Sequence, residues 1–418
     1  MLKNRVPRWS PCLVILILCA AGALSGCTWL PGLSLGRGEH VPKPPTDESE
    51  QVPGPPKDES PGDPKPGPVL PQREVVIYYC GPEGAIPGSE QVLRQHHDKI
   101  SYITGFWYQI DRHDPARVVP MSNSPEHEIQ GVTDLAHSHG VKVEALFHNL
   151  LYGSSATSQE VATRLLADQR LSARLAEELV ALATHMQFDG INIDVEFVPP
   201  RLRHQFTAFV EIIATALQRE NIRVSLSIPA KTSDDPSNGW SGGYDYAALG
   251  AIVDRLMLMT YDEHGWASDT GGPIASAGWA ERVVEYAVRE VPPHKILLGI
   301  PAYGFRWTEG NKKPVYLDYA AAMGPIWRGE AVLGWDARGQ VPMYQYGGSN
   351  GTMHKVWFED AASSSWKLDT MQRYQLRGFT LWRAGMEDPD LWRVVAQKMR
   401  AEREEAPGTT TSLDADTH

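Results

Sequence analysis

The sequence predicts an α/β fold, a closed barrel in which eight parallel strands alternate with helices. Apolar runs of strand length recur along the central part of the chain, and longer amphipathic stretches separate them. The candidate strands are residues 75–79, 100–108, 141–147, 190–197, 224–229, 255–261, 296–301 and 378–382. Eight successive strand–helix units favour a closed (β/α)8 barrel, the TIM barrel, over an open doubly wound sheet.

Residues 1–27 are expected to be an export signal. Lys3, Arg5 and Arg8 precede an apolar run from Leu13 to Leu24, which is too short to span a bilayer comfortably. The following Leu-Ser-Gly-Cys resembles the bacterial lipobox, which implies cleavage before Cys27 and lipidation of its thiol. We therefore expect an exported protein that is anchored to the outer face of the cytoplasmic membrane. The alternative is an ordinary secretory signal in which Cys27 is incidental.

Residues 28–72 are expected to be a disordered tether. Pro, Gly, Ser and charged residues dominate this segment, and it contains no aromatic residue after Trp29. Fully extended, it would hold a folded domain on the order of 100 Å from the membrane. The folded domain is predicted to span residues 73–400, and the charged, Thr-rich residues 401–418 are predicted to be a disordered tail.

Composition and cysteine content exclude several classes of function. The net charge of −12 argues against a nucleic acid as the main partner. Cys80 is the one cysteine in the predicted folded part, so an internal disulfide framework is excluded. We infer no metal ion and no other cofactor, and we expect a monomer. His137 and His139 are predicted to lie on solvated helix faces.

The spacers between the strands are predicted to be helical, with one exception. Residues 158–187 are rich in Ala and Leu and predict a long helix with a buried leucine face. Between the seventh and eighth strands, residues 307–352 instead have the pattern of short strands and turns. We expect this segment to form a small α+β insertion at the C-terminal rim of the barrel, where it would provide one wall of a cleft.

The fourth strand carries the densest group of polar residues. Side chains two apart share one face of a strand, so Asn192, Asp194 and Glu196 are expected to point into the barrel. Two neighbouring buried carboxyls disfavour joint ionisation, and Glu196 at the strand end is predicted to retain a proton. Such a group can protonate a leaving group as a general acid.

This arrangement limits how a sugar substrate could be attacked. Asp194 and Glu196 would lie on the same side of a bound sugar, so Asp194 cannot easily attack the anomeric carbon from the opposite face. Either another strand supplies the nucleophile, or a 2-acetamido group of the substrate does. The candidates from other strands are Glu144, Asp262 and Glu263.

The segment from Asp189 to Glu196 resembles the Asp-x-x-Asp-x-Asp-x-Glu signature of glycoside hydrolase family 18. The resemblance implies substrate-assisted retaining catalysis, with Glu196 as the acid/base and Asp194 orienting the acetamido nitrogen. It assigns supporting roles to Asp189 and Asn192. Asn192 replaces the second Asp of the signature, a departure that resembles the spore-germination and cortex-lytic N-acetylglucosaminidase branch more than the chitinases.

Later strands carry further family-like motifs. Met-Thr-Tyr261-Asp262 resembles the sixth-strand motif, which implies that Tyr261 donates to the acetamido carbonyl while Asp262 helps to hold the sugar. Gly299–Gly304 and Gly378–Arg383 resemble the seventh and eighth strands, which implies that Trp382 lies beneath the distorted sugar. Other aromatic residues near strand ends or in loops are candidates for stacking on sugars: Tyr79, Trp107, Trp240, Trp266, Tyr303 and Trp307.

The resemblance implies a glycosidase that cleaves β-1,4 bonds in a polymer containing N-acetylglucosamine. Peptidoglycan of the spore cortex or cell wall is the expected substrate, because the proposed anchor and tether suit a polymer outside the membrane. A chitinase or chito-oligosaccharide hydrolase is the alternative enzyme. A lectin that binds sugar without cleaving it is the alternative from another class.

Overall fold

A computed structural model describes residues 73–405, apart from residues 267, 269, 312, 349 and 350. The strands in this part of the chain are β1 (Glu74–Tyr79), β2 (Tyr102–Ile110), β3 (Val118–Pro120), β4 (Lys142–His148), β5 (Gly190–Asp194), β6 (Arg223–Pro229), β7 (Arg255–Met259), β8 (Ile296–Pro301), β9 (Gly304–Thr308), β10 (Val315–Leu317), β11 (Gly334–Asp336), β12 (Val341–Gly347), β13 (Met353–Phe358) and β14 (Gly378–Trp382). The helices are α1 (Glu90–His96), α2 (Glu126–Ser138), α3 (Ser155–Ala167), α4 (Gln169–Met186), α5 (Arg203–Arg219), α6 (Tyr246–Ile252), α7 (Ala277–Glu290), α8 (Tyr319–Trp327), α9 (Ala361–Arg373) and α10 (Leu391–Glu405).

Eight of these strands form the predicted closed parallel barrel. From the first to the eighth barrel strand, their order is β1, β2, β4, β5, β6, β7, β8 and β14. The barrel closes because β1 pairs in parallel with both β2 and β14. The carboxyl ends of all eight strands therefore meet at one mouth, where the loops that follow them lie side by side.

The barrel strands separate two apolar cores. On β1, Ile77 belongs to the outer core between the strands and the helices, whereas Val76 and Tyr78 belong to the core inside the barrel. Both faces of β1 are buried, which explains why this strand is apolar from Val75 to Tyr79 rather than alternating with polar residues.

The long helix predicted over residues 158–187 is divided into α3 and α4. Asp168 lies between them in an extended conformation, and its side chain accepts a hydrogen bond from the backbone N–H of Arg170. An Asp at this position caps the first turn of the second helix, so the helical pattern is interrupted even though the leucine spacing continues. Leu175 and Leu179 are buried, as the pattern predicts.

The insertion between β8 and β14 is larger than predicted. It comprises α8 and a five-stranded antiparallel sheet in the order β10, β9, β13, β12, β11, and it spans residues 304–358 rather than 307–352. The sheet begins directly after β8 because Gly304 pairs with Phe358. A Cβ atom at Gly304 would lie 2.3 Å from the Cβ of Phe358, so this close pairing requires glycine.

The C-terminal boundary also differs from the prediction. Helix α10 continues to Glu405, beyond the boundary predicted at residue 400, because residues 401–405 are Ala, Glu and Arg, all good helix formers. Cys27, the remaining residues of 1–72 and residues 406–418 lie outside the described residues, so the signal, the lipid site, the tether and the rest of the tail stay predictions. In the part of the chain that the structure describes, no helix has the length and apolar character needed to cross a membrane.

Candidate active site

Asp194 and Glu196 lie where the fourth barrel strand ends at the mouth. Asp194 is the last residue of β5 and is 5% exposed, whereas Glu196 is half-buried and more open to the mouth. The Oδ1 atom of Asp194 is buried and has no hydrogen-bond partner among the described residues. A buried carboxylate oxygen without a donor is costly, so this atom is suited to accept a hydrogen bond from a ligand.

The two carboxyls share an environment that favours their protonated forms. Burial raises the pKa of Glu196 well above its ordinary value, and the carboxylates of Asp194 and Asp262 raise it further. Burial also raises the pKa of Asp194. Because two adjacent carboxylates resist joint ionisation, the pair retains a proton at neutral pH, and the additional negative charge of Asp262 favours Glu196 as the protonated member. Glu196 is therefore equipped to act as a general acid.

Two buried side chains hold the backbone that carries Glu196. The N–H of Glu196 donates to Asn149 Oδ1, and Asn149 Nδ2 donates to the Glu196 carbonyl, both at 2.8 Å. On the other side, the Tyr244 hydroxyl donates to the carbonyl of Val195 at 2.9 Å. These contacts replace the strand hydrogen bonds that end at Asp194, and Phe197 then turns the chain with a φ of 57°.

The sequence prediction missed both Asn149 and Tyr244. Both side chains are fully buried. Along the chain, Asn149 is 47 residues from Glu196, and Tyr244 is 49 residues from Val195. The available signal was the position of Asn149, a polar residue immediately after the third barrel strand. Polar residues at the carboxyl ends of barrel strands are candidates for the site.

Tyr261 and Asp262 follow the sixth barrel strand and also face the mouth. Burial raises the pKa of Tyr261 well above its ordinary value, with Tyr78 and then Asp194 contributing, so its hydroxyl stays protonated and can donate a hydrogen bond. Asp262 is exposed at the mouth and has a φ of 60°, which turns the chain away from β7. Its Oδ1 accepts a hydrogen bond from the Tyr303 hydroxyl at 2.5 Å.

Contrary to the prediction, Tyr303 does not line the open cleft. Its side chain is 1% exposed and packs against Phe305 and Tyr316 at the junction with the insertion. The ring is buried because the insertion covers it, and its hydroxyl is committed to Asp262. Tyr303 therefore acts on the site through Asp262 and is not available to stack on a sugar.

Trp382 ends the eighth barrel strand and lies in the mouth, half-buried. Its ring packs edge-to-face on Tyr78, with centroids 5.0 Å apart, and on Phe106, with centroids 5.7 Å apart. Phe106 in turn stacks on the buried ring of His148 at 4.3 Å. These aromatic contacts support Trp382 from inside the barrel while leaving part of its ring accessible.

Tyr79 and Trp107 are not at the site, contrary to the prediction. Both rings point outward into the core between strands and helices, where Trp107 contacts Tyr79 at 6.0 Å and Phe188 at 5.9 Å. The residues that face the mouth are the preceding ones, Tyr78 and Phe106. Because both faces of β1 and β2 are apolar, the sequence pattern did not reveal which alternate residues point inward.

Asn192 and Asp189 hold structure around the site rather than contacting Asp194. Asn192 is fully buried; its Nδ2 donates to Ser225 Oγ at 2.8 Å, and its Oδ1 accepts from Ser227 Oγ at 3.0 Å. The Ser225 hydroxyl donates its hydrogen to Glu144, so the Ser225 oxygen can only accept from position 192. A side chain that can donate, such as Asn, is therefore needed at that position. The Asn in place of the family Asp thus fits the hydrogen-bond network that Ser225 and Ser227 form inside the barrel.

Asp189 precedes β5, at the end of the barrel opposite the mouth. Its Oδ2 accepts from the backbone N–H of Val143 at 2.9 Å and contacts His137 Nε2 at 2.9 Å. The Asp189 carboxylate therefore holds the beginnings of β4 and β5 together, so its supporting role is structural. His137 is correspondingly engaged with Asp189, while the His139 ring stacks on His97.

Of the three carboxylates considered as nucleophiles, Glu144 and Glu263 have structural partners. Glu144 is fully buried and forms an ion pair with Arg255, which is also fully buried. Glu263 accepts a hydrogen bond from the backbone N–H of Ser276 at 2.7 Å. Asp262 is the one of the three whose charge acts on Glu196. The remaining candidates for the nucleophile are therefore Asp262 and a group on the substrate.

The insertion and the loop that follows β7 together contribute an aromatic wall beside Asp262. Trp266 and Trp307 pack on Phe305 with centroids 5.1 and 5.6 Å apart, and Tyr316 packs on both Phe305 and Tyr303. Across residues 73–399, leaving aside the five undescribed positions, no cluster of three or more His, Cys, Asp or Glu side chains is arranged to hold a metal ion.

The chain is similar to a known family and to known proteins. Residues 153–387, more than half of the chain, match the model of glycosyl hydrolases family 18. The cortical fragment-lytic enzyme of Bacillus subtilis (strain 168) is 28% identical over 340 residues, which cover 79% of this chain and 76% of that protein.

Two solved structures have a similar fold. The spore cortex-lytic enzyme SleL of Bacillus megaterium QM B1551 superposes with a TM-score of 0.70 at 26% identity, covering 80% of this chain and 75% of that one. A chitinase from Chromobacterium violaceum ATCC 12472 superposes with a TM-score of 0.68 at 28% identity, covering 78% of this chain and 99% of that one.

Proposed function

The chain belongs to glycosyl hydrolases family 18 and is a glycosidase, and from this premise we propose that it cleaves β-1,4 bonds after N-acetylglucosamine in peptidoglycan. The proposal is carried by the unpartnered, buried Oδ1 of Asp194 next to the protonated Glu196. An acetamido N–H of a bound sugar is a donor that would satisfy this oxygen while Glu196 faces the glycosidic oxygen.

The first chemical step would break the glycosidic bond. Glu196 gives its proton to the leaving oxygen while the acetamido carbonyl oxygen of the same sugar bonds to the anomeric carbon, so the substrate supplies the nucleophile. Asp194 accepts the acetamido N–H and offsets the positive charge that develops on that group. The Tyr261 hydroxyl donates to the acetamido oxygen and aligns it, and Trp382 supports the distorted sugar from below.

The second step would restore the enzyme. Glu196, now ionised, takes a proton from water, and the water oxygen attacks the anomeric carbon as its bond to the acetamido oxygen breaks. The two displacements together retain the anomeric configuration. A β anomer as the first product, observed by NMR before mutarotation, supports this scheme, whereas an initial α anomer contradicts it.

Peptidoglycan is proposed as the polymer because cortex-lytic enzymes are among the relatives. Mass spectrometry of the reducing ends released from purified peptidoglycan, by the chain from Thr28 onward, tests this assignment. Reducing N-acetylglucosamine ends that are absent with Glu196→Gln support it. Glu90→Gln is a matched control, because Glu90 lies on the exposed face of α1 and pairs only with Arg94 there.

A chitinase is the second candidate, favoured by the similarity to the Chromobacterium violaceum enzyme. Chitin oligosaccharides incubated in parallel distinguish the two. Cleavage of these oligosaccharides alone would replace peptidoglycan by chitin as the substrate. Binding of either polymer without cleavage would contradict the proposed activity and favour a lectin.

The proposed location is the outer face of the bacterial cytoplasmic membrane, with the enzyme acting as a monomer. Lipidation of Cys27 and the Pro-rich residues 28–72 would let the domain reach a polymer beyond the membrane. The full chain expressed in bacteria should incorporate a labelled fatty acid, and Cys27→Ser should not. Equal labelling of the two proteins, or no labelling of either, would contradict the lipid anchor.

A further inference from the structure

The loop between β6 and α6 presents an exposed tryptophan that packs on Phe197, the residue after Glu196. The Trp240 side chain is 38% exposed and packs edge-to-face on Phe197, with ring centroids 5.4 Å apart. Phe197 follows Glu196 directly and is itself half-buried. A single exposed tryptophan is common on protein surfaces, but a pair of aromatic rings adjoining the acid of a glycosidase is positioned to contact substrate.

Charged side chains fix the base of this loop. Lys231 is 6% exposed, and its Nζ donates to Asp234 at 2.7 Å and to the carbonyl of Tyr244 at 2.6 Å. Arg203 on α5 makes ion pairs with both Asp234 and Asp245, at 2.8 and 3.1 Å. The loop is thus held from both ends by partly buried ion pairs.

The segment that carries Trp240 is also held in place locally. Asn238 Oδ1 accepts hydrogen bonds from the backbone N–H groups of Trp240 and Ser241, both at 2.9 Å. A Cβ atom at Gly243 would lie 2.5 Å from the carbonyl oxygen of Val198, so the loop backbone rests directly on the chain that follows Glu196. Trp240 is therefore an exposed aromatic ring on an ordered support, which limits the entropy lost when a ligand binds.

The barrel topology places this pair across the mouth from Trp382. Phe197 follows the fourth barrel strand and Trp382 ends the eighth, and in a ring of eight strands these two are opposite each other. A sugar chain that crosses the mouth over Trp382 would pass Glu196 and continue towards Phe197 and Trp240. The bond that Glu196 protonates would then lie between the two aromatic positions.

We propose that Phe197 and Trp240 bind the sugar on the leaving-group side of the cleaved bond. The ligand class is an uncharged face of a pyranose ring, whose C–H groups pack on aromatic rings. This inference rests on the proposed glycosidase action of Glu196 on a polymer, and it makes Trp240 a residue that favours long substrates over short ones.

The proposal is tested by measuring the activity of the Trp240→Ala variant on two substrates. Peptidoglycan fragments place a sugar on the leaving-group side, whereas the β-fluoride of N,N′-diacetylchitobiose has a leaving group too small to reach Trp240. The loss in kcat/KM should be about tenfold larger for the fragments than for the fluoride, since an aromatic contact of this kind is worth about 1.4 kcal/mol. Trp240→Tyr should recover most of the loss because it keeps a ring.

Trp366→Ala is the matched control, because Trp366 is 48% exposed on α9 and belongs to no part of the site. Equal losses on both substrates, or a loss on fragments no greater than that of Trp366→Ala, would overturn the inference while leaving the proposed function intact. An unsubstituted enzyme that cleaves neither substrate would overturn the proposed function and this inference together.

Discussion

Replacing Asn149 by alanine should impair Glu196 as an acid without removing a contact to the substrate. Asn149 makes three hydrogen bonds: two with the backbone of Glu196 at 2.8 Å and one to the carbonyl of Ser158 at 3.0 Å. Glu196 lies beyond the last paired residue of β5, so these bonds, with that of Tyr244 to Val195, define where its backbone sits.

The expected magnitude follows from those bonds. Leaving buried backbone groups without partners costs about 1–3 kcal/mol each, and water entering the space left by the amide would recover part of this. The free energy of unfolding should fall by roughly 3 kcal/mol. General acid catalysis contributes about 10²–10⁴-fold, and partial misplacement of the acid should lower kcat about 10- to 100-fold with little change in KM.

The assay is the pH dependence of kcat together with urea unfolding. In Asn149→Ala, Glu196 should become better hydrated, so its pKa should fall towards the ordinary value and the loss of activity at high pH should begin at a lower pH. Leu179→Ala is the stability control, because this buried residue of α4 faces the outer core and should lower stability by a similar amount.

Two results would refute this reasoning. If Asn149→Ala keeps the kcat and the pH profile of the unsubstituted enzyme, the two bonds to Glu196 do not position it. If Leu179→Ala lowers kcat as much as Asn149→Ala does, the loss reflects general destabilisation and not the position of the acid.

Three further predictions concern groups around the site. Activity should fall as the pH rises through the raised pKa of Glu196, because the acid is lost on ionisation, and a pH–kcat/KM profile with its descending limb in the ordinary glutamate range would contradict this. Tyr303→Phe should raise the pKa of Asp262 by about 1–2 units, through loss of a hydrogen bond to a charged group, and should weaken substrate binding at neutral pH; an unchanged KM and pH profile would argue against the contact. Glu144→Gln should reduce the free energy of unfolding by about 3 kcal/mol, because Arg255 loses a buried partner, while kcat per folded molecule stays the same; unaltered urea unfolding would contradict it.

The hydrogen bonds of Asn192 explain how this chain accommodates its departure from the family signature. Asn192 donates a hydrogen bond to Ser225 and accepts one from Ser227, whereas an ionised Asp could only accept. Ser225 donates to Glu144 in the same network, so a carboxylate at position 192 would add a further negative charge inside the barrel. The Asn therefore leaves Asp194 and Glu196 as the titrating pair on this strand.

The sequence by itself determined the barrel, and it predicted Glu196 on the fourth strand as the acid. Strand-length apolar runs separated by amphipathic stretches predict βα units whatever the details of packing, because backbone hydrogen bonding and burial act locally. The alternation of polar and apolar residues from Asn192 to Glu196 likewise identifies one face of one strand. Where β1 and β2 are apolar on both faces, that local signal is absent, and Tyr79 and Trp107 were assigned to the wrong side.

Only the tertiary structure decided which distant side chains act on that acid. Asn149 and Tyr244 follow other barrel strands and reach the backbone of Glu196 and Val195, respectively, and Tyr303 reaches Asp262 only because the insertion folds over it. Contacts of this kind depend on how far the chain closes on itself and on which neighbouring backbone groups lack a strand partner. A single sequence carries no local pattern for either property, so the supports of the site became visible only once the barrel was closed.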